Sequence, residues 1–113
     1  MNLDRFLVPL FEHFQVNEMV HVRVNAVDSD SGDSAIAYCE YLGEVGTVHF
    51  FEIEYEKNIS PSSFETMLAH ECTHIAQELG GVEMDYTKEY HEQSHEIEAY
   101  DMQEWLVMNS KIN

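Results

Sequence analysis

Residues 60–81 read Ser-Pro-Ser-Ser-Phe-Glu-Thr-Met-Leu-Ala-His-Glu-Cys-Thr-His-Ile-Ala-Gln-Glu-Leu-Gly-Gly, and the plan of the chain is built around them. Ser60 followed by Pro61 suits a helix N-cap and first helical position, where proline's missing N–H goes unnoticed. Ser62 with Glu65 suits a capping box. Gly80-Gly81 supplies the stop, since glycine accepts the left-handed backbone that ends many helices. Within the predicted helix, Phe64, Leu68, Cys72, Ile75 and Leu79 fall in an arc of roughly 80° and read as a core stripe. His70 and His74 lie elsewhere on the helix, about 40° apart and one turn above each other.

Two imidazoles so placed can reach a single metal ion. Glu71 lies about 100° from His70, where it can flank the ion without ligating it and accept a proton from water. A catalytic zinc takes three protein ligands and leaves a fourth position open, so a further ligand is expected downstream. A last helix, read from about Glu89 to Asn109, offers His91, His95, Glu96 and Glu98. Its apolar face runs through Ala99, Met102, Trp105 and Leu106, and Glu98 and His95 lie nearer the centre of that face than Glu96 does. A polar group on a packing face is costly unless it is satisfied. The residues alone therefore leave Glu96, Glu98 and His95 all open as the third ligand.

Upstream, Leu3, Phe6, Leu7, Leu10, Phe11 and Phe14 recur at helical spacing, so residues 2–15 read as an amphipathic helix with Pro9 inside it. Residues 19–27 alternate as a half-buried strand, with Val20, Val22, Val24 and Ala26 on one face. Asp28 to Ser34 is a polar, acidic loop that lacks the position-12 Glu of a calcium loop, since Cys39 stands there. Residues 35–42 and 47–56 read as two more strands, joined in a hairpin through Gly43-Glu44-Val45-Gly46. Glu52, Glu54 and Glu56 make one face at the end of the third strand acidic. The expected fold is α+β in one domain, 1–113: an N-terminal helix, a small and mostly antiparallel three-stranded sheet, and two C-terminal helices carrying the metal site.

Composition narrows the function. Twenty-two Asp and Glu against five Lys and Arg give a net charge of −17. Such a surface repels phosphate backbones and anionic membranes, so nucleic-acid and membrane partners are not expected. A basic protein partner, a basic substrate, adaptation to a salty cytosol, or a plain solvated surface all fit. At 113 residues there is little room for a second lobe, so any cleft is expected to be shallow or completed by a partner or a second copy in a homo-oligomer. No apolar run approaches the roughly 20 residues of a membrane span, and the first residues lack a secretory signal's pattern, so a cytoplasmic location is expected. Cys39 and Cys72 are too few and too far apart for a disulfide framework and read as free thiols.

His70-Glu71-Cys72-Thr73-His74 together with Glu96-Ile97-Glu98-Ala99, with 21 residues separating His74 from Glu96, resembles the gluzincin branch of zinc metallopeptidases. The likeness covers residues 60–107. It implies Zn2+ held by His70, His74 and Glu96, with Glu71 as general base in the hydrolysis of a peptide or protein substrate. It also implies an edge strand beside the cleft, and the strand at 47–56 is the candidate. The family often has Asp after the small residue to brace an imidazole; here Tyr100 stands in that place, with Asp101 as a substitute. A third histidine ligand would instead resemble SprT-like proteases, whose downstream signature is absent. Tyr86, Tyr90, His91 and Tyr100 are candidate donors to a developing oxyanion. Two other readings remain: a zinc-stabilised binding protein without catalysis, and an acidic interaction protein without metal.

Overall fold

The computed structural model describes residues 3–28, 37–84 and 86–112, with side chains through Asn109. Helix α1 (Asp4–His13) precedes strands β1 (Met19–Val27), β2 (Ala37–Val45) and β3 (Val48–Glu56). Helix α2 (Pro61–Leu79), one turn of 3₁₀ helix (Tyr90–Glu92) and helix α3 (Ser94–Ile112) complete the chain. The architecture is α+β with the expected element order. Beyond Asp28, the acidic loop read at 28–34 lies outside the described residues. No helix among the described residues is long and apolar enough to cross a membrane.

The sheet is mixed, which refines the mostly antiparallel expectation. Its order is β1-β3-β2, with β2 antiparallel and β1 parallel to β3. Local sequence specifies the β2–β3 hairpin but carries no instruction about which strand β1 joins. It joins β3, where Val22 and Val24 lie opposite Phe51 and Ile53 and complete one apolar face. Strand β3 is therefore central, and the expectation that 47–56 forms the edge beside the cleft is corrected. That edge belongs to β2.

The hairpin turn also falls later than Gly43–Gly46. Strand β2 runs on to Val45, and Gly46-Thr47 make the turn, Gly46 at φ +62°. Gly43 sits instead in a bulge, at φ +113°, where the register shifts between Tyr41 and Gly43. One residue is extra on the β2 side, and glycine supplies the backbone conformation that the extra residue demands. On the outer face, Glu52 accepts from Arg23 Nε at 2.6 Å and from Asn25 Nδ2 at 3.1 Å. The acidic end of β3 is thus half-buried and partly paired.

Helix α2 begins as read: Ser60 caps it, its hydroxyl accepting from the Ser63 N–H at 3.3 Å, with Pro61 next. The Ser62–Glu65 box does not form. Glu65 turns to Arg5 of α1 at 3.1 Å, and the Ser62 carbonyl takes the Thr66 hydroxyl. The helix ends in a Schellman motif. Val82 N–H donates to Gln77 O, Gly81 N–H to Glu78 O, and Gly81 has φ +75°. A Cβ on Gly80 would stand 2.9 Å from Ala76 O and 3.3 Å from Phe14 Cβ, so glycine here lets the ends of α1 and α2 touch.

The core joins Phe6 and Leu10 of α1, Phe51 and Ile53 of β3, Leu68, Cys72 and Ile75 of α2, and Leu106 of α3. Both cysteines are free; Cys72 is buried, and burial raises each thiol's pKa well above the usual thiol range. Leu106 is 1% exposed and holds α3 against the rest. Leu106→Ala should cost about 2–5 kcal/mol, the usual range for such a truncation. Urea unfolding should show a lower midpoint at unchanged slope.

Candidate metal centre

Helix α2 is buried over Met67–Thr73 and Ile75–Gln77, because α1 and the sheet cover one side and α3 the other. The simple division into a core stripe and an open metal face therefore gives way to a helix enclosed on both sides, whose polar residues must find partners. Thr73 does so by donating its hydroxyl to Ala69 O at 2.8 Å.

The structure brings His70, His74 and Glu96 together. Their ligand atoms all lie within 4.8 Å of one another. His70 Nε2 is 3.0 Å and His74 Nε2 2.8 Å from Glu96 Oε1, and the two Nε2 atoms are 3.1 Å apart. A tetrahedral zinc with arms of about 2.0–2.1 Å has ligand–ligand edges of about 3.3 Å. The observed triangle is only slightly tighter. Calcium, with six to eight oxygen ligands, finds neither the number nor the type here.

The outer nitrogens of the two rings explain why the inner ones are free to ligate. Gln77 donates its amide to His95 O and to Glu98 Oε1, both at 2.8 Å. Those partners are acceptors, so Gln77 Oε1 is the atom facing His74 Nδ1 at 2.8 Å, and that Nδ1 must carry the proton. His70 Nδ1 meets Gln103 Oε1 at 2.8 Å, a contact that a proton on Nδ1 completes. Each Nε2 is then a lone pair aimed at the Glu96 carboxylate. Burial, helped by neighbouring His74, lowers the pKa of His70 and keeps it neutral, against opposing contributions from Gln103 and Glu96. Two lone pairs and a carboxylate crowded into a buried spot repel one another until a cation sits among them. This chemistry fits a borderline-soft divalent metal.

Of the downstream candidates, Glu96 reaches the histidine pair. Glu98 and His95 instead hold Gln77, so the packing-face argument located the brace behind the site. His95 is 3% exposed and stacks near His74 at 5.9 Å between ring centroids. Its Nδ1 has no hydrogen-bond partner among the described residues. His91 is exposed and not part of the group. Asp101 is exposed, and its expected bracing role falls to Gln103 and Gln77. Neither glutamine was singled out from sequence. The signal was present, since Gln77 follows His74 by three positions and Gln103 follows Glu96 by seven, both helical repeats. Tyr100 lays its ring 4.6 Å from that of His70 and its hydroxyl 3.3 Å from that of Tyr90.

Glu71 is buried beside the triangle, and its carboxylate takes no hydrogen bond among the described residues. Burial pushes its pKa up to about 7, with His74 opposing and Glu96 adding to the shift. The site opens into a cleft of about 910 Å³. Its floor is a stripe of α2 at helical spacing, through Ser63, Met67, His70, Glu71, His74 and Glu78; β2 forms one wall, and α3 with Met84, Tyr86 and Tyr90 the other. No family model matches the chain, and neither a curated protein nor a solved structure does.

Two measurements check this geometry. Zinc affinity should fall about 10–100-fold in Gln77→Ala and Gln103→Ala, and much further in Glu96→Ala, with calorimetric titration as the readout. The second concerns the metal-free protein. The folded state holds the Glu71 proton more tightly than the unfolded chain does, so ionising Glu71 costs stability as pH rises from about 4.5 to about 7. Glu71→Gln removes that cost. Its melting temperature relative to the parent should therefore rise across this window and level off above it.

Proposed function

We propose that the chain is a zinc-dependent hydrolase acting on peptide bonds, with His70, His74 and Glu96 as the metal ligands and Glu71 as the general base. The observation that carries this reading is the convergence of two imidazole lone pairs and one carboxylate, each imidazole braced from behind by a glutamine. The reading makes this a minimal protein of the gluzincin kind, in keeping with the resemblance of its two helical motifs.

A zinc ion held by these residues would supply Lewis acidity, acidifying water and polarising a carbonyl. The chain's own groups do the rest. Glu71, on the cleft floor without a competing partner among the described residues, takes a proton from the attacking water and returns it to the leaving amine. Tyr100 and Tyr90 stand on the wall beside His70. Partial burial, then the contact with Tyr100 and the charge of Glu96, push the Tyr90 hydroxyl above its usual range, so it stays a donor for a developing oxyanion. The outer edge of β2 lies along the cleft and offers backbone groups to an extended substrate, the role first assigned to the strand at 47–56.

Protein prepared without chelator should contain one zinc per chain, and added zinc should raise the melting temperature of stripped protein. Glu71→Gln should keep the metal and lower hydrolysis of unstructured peptides by about 10²–10⁴-fold. Zinc-free protein whose stability ignores added metal would overturn the reading, and so would full activity in Glu71→Gln.

A further inference from the structure

We infer that the cleft takes an extended polypeptide segment bearing Lys or Arg, with a cationic side chain seated at the Tyr41–Glu78 end. This rests on the hydrolase reading and adds the substrate class to it.

The first observation is the charge of the cleft. Glu71, Glu78 and Glu96 line it, and no Lys or Arg does among the described residues. The chain has only five basic side chains, and three of these are engaged elsewhere: Arg5 with Glu65, Arg23 with Glu52, and Lys57 with Asp28. A divalent ion among the ligands would sit at Glu96, and Glu78 at the far end of the cleft would still face no Lys or Arg among the described lining residues. None of the described residues lining the cleft offers the guanidinium or ammonium group that would hold a substrate's terminal carboxylate or an acidic side chain.

The second observation is the polarity along the cleft. Its floor follows α2 from Ser62 and Ser63 at the helix start to Glu78 near its end. At about 1.5 Å per residue this spans roughly 24 Å, the length of about seven residues of extended chain. The first end is lined by hydroxyls. At the other, Glu78 and the half-exposed Tyr41 line the cleft together. Glu44 and Glu18 gather beside them around His49, at 3.5 and 3.4 Å, and the Tyr41 hydroxyl is 2.9 Å from His49 Nδ1. Partial burial, then the charges of Glu44, Glu78 and Glu18, raise the Tyr41 hydroxyl's pKa. An aromatic ring ringed by carboxylates attracts a cation through its face and through charge together. The net charge of −17 adds long-range steering of the same sign.

The test uses the full chain loaded with zinc and three unstructured peptides of one length, blocked at both ends. They carry several Lys, several Gln or several Glu at the same positions. Binding is measured first on the Glu71→Gln protein, where turnover plays no part, so a failure of catalysis and a failure of this inference give different results. The Lys peptide should bind at least about tenfold tighter than the Gln peptide, and the Glu peptide should not bind measurably. The advantage should shrink steeply between about 0.05 and 0.5 M salt. Glu78→Gln should reduce the Lys-over-Gln ratio by about 2–5-fold, the scale of one partly exposed charge pair, while zinc affinity holds. Equal binding of the Lys and Gln peptides, or tighter binding of the Glu peptide, would overturn the substrate class. An unchanged ratio in Glu78→Gln would overturn the placement at Tyr41. An inactive but Lys-selective protein would leave the inference standing and sink only the peptidase reading.

Discussion

The enclosure of α2 is the constraint on which everything else depends. A helix buried on two sides must satisfy or avoid every polar group it carries. This chain answers with small residues at the tightest points, Ala69, Ala76 and Ala99 all fully buried, and with paired polar groups between. Each outer nitrogen of His70 and His74 meets a glutamine oxygen, while the inner nitrogens and Glu96 gain a common partner only from a cation shared among them. The packing of α3 against α2 and the assembly of the His-His-Glu group are therefore one event. Neither helix could shift by a turn without stranding several buried polar atoms.

The legibility of the chain divides along the same line. Elements set by local pattern came through: the Ser60-Pro61 start and Gly80-Gly81 stop of α2, the alternation of β1, and the amphipathic α1. Elements set by long-range pairing did not. The position of β3 at the centre of the sheet depends on where β1 lands, and nothing in residues 19–27 records a parallel partner. Glu65 could read as a capping residue only while Arg5 was unplaced. Gly43 and Gly46 both suit a turn, and only the pairing register separates the bulge from the bend.

The site was half legible for a related reason. His70, Glu71 and His74 sit on one helix, where spacing translates directly into geometry. Glu96 arrives from another helix, whose rotation about its own axis is set by packing. Trp105 misled that estimate, because it is 46% exposed rather than central to the buried face. The face in contact runs through Glu96, Ala99, Gln103 and Leu106, which is the i, i+3, i+7, i+10 series of closely packed helices.

The bulge at Gly43 has a consequence for how the molecule survives in company. Among the described residues strand β2 is an edge bearing Tyr38, Tyr41, Leu42 and Val45 at the surface, the kind of strand on which neighbouring copies stack into fibrils. An interrupted ladder offers no long, flat template for such stacking, and Glu40 and Glu44 set like charges against each approaching copy. The edge is thus guarded against endless addition of its own kind.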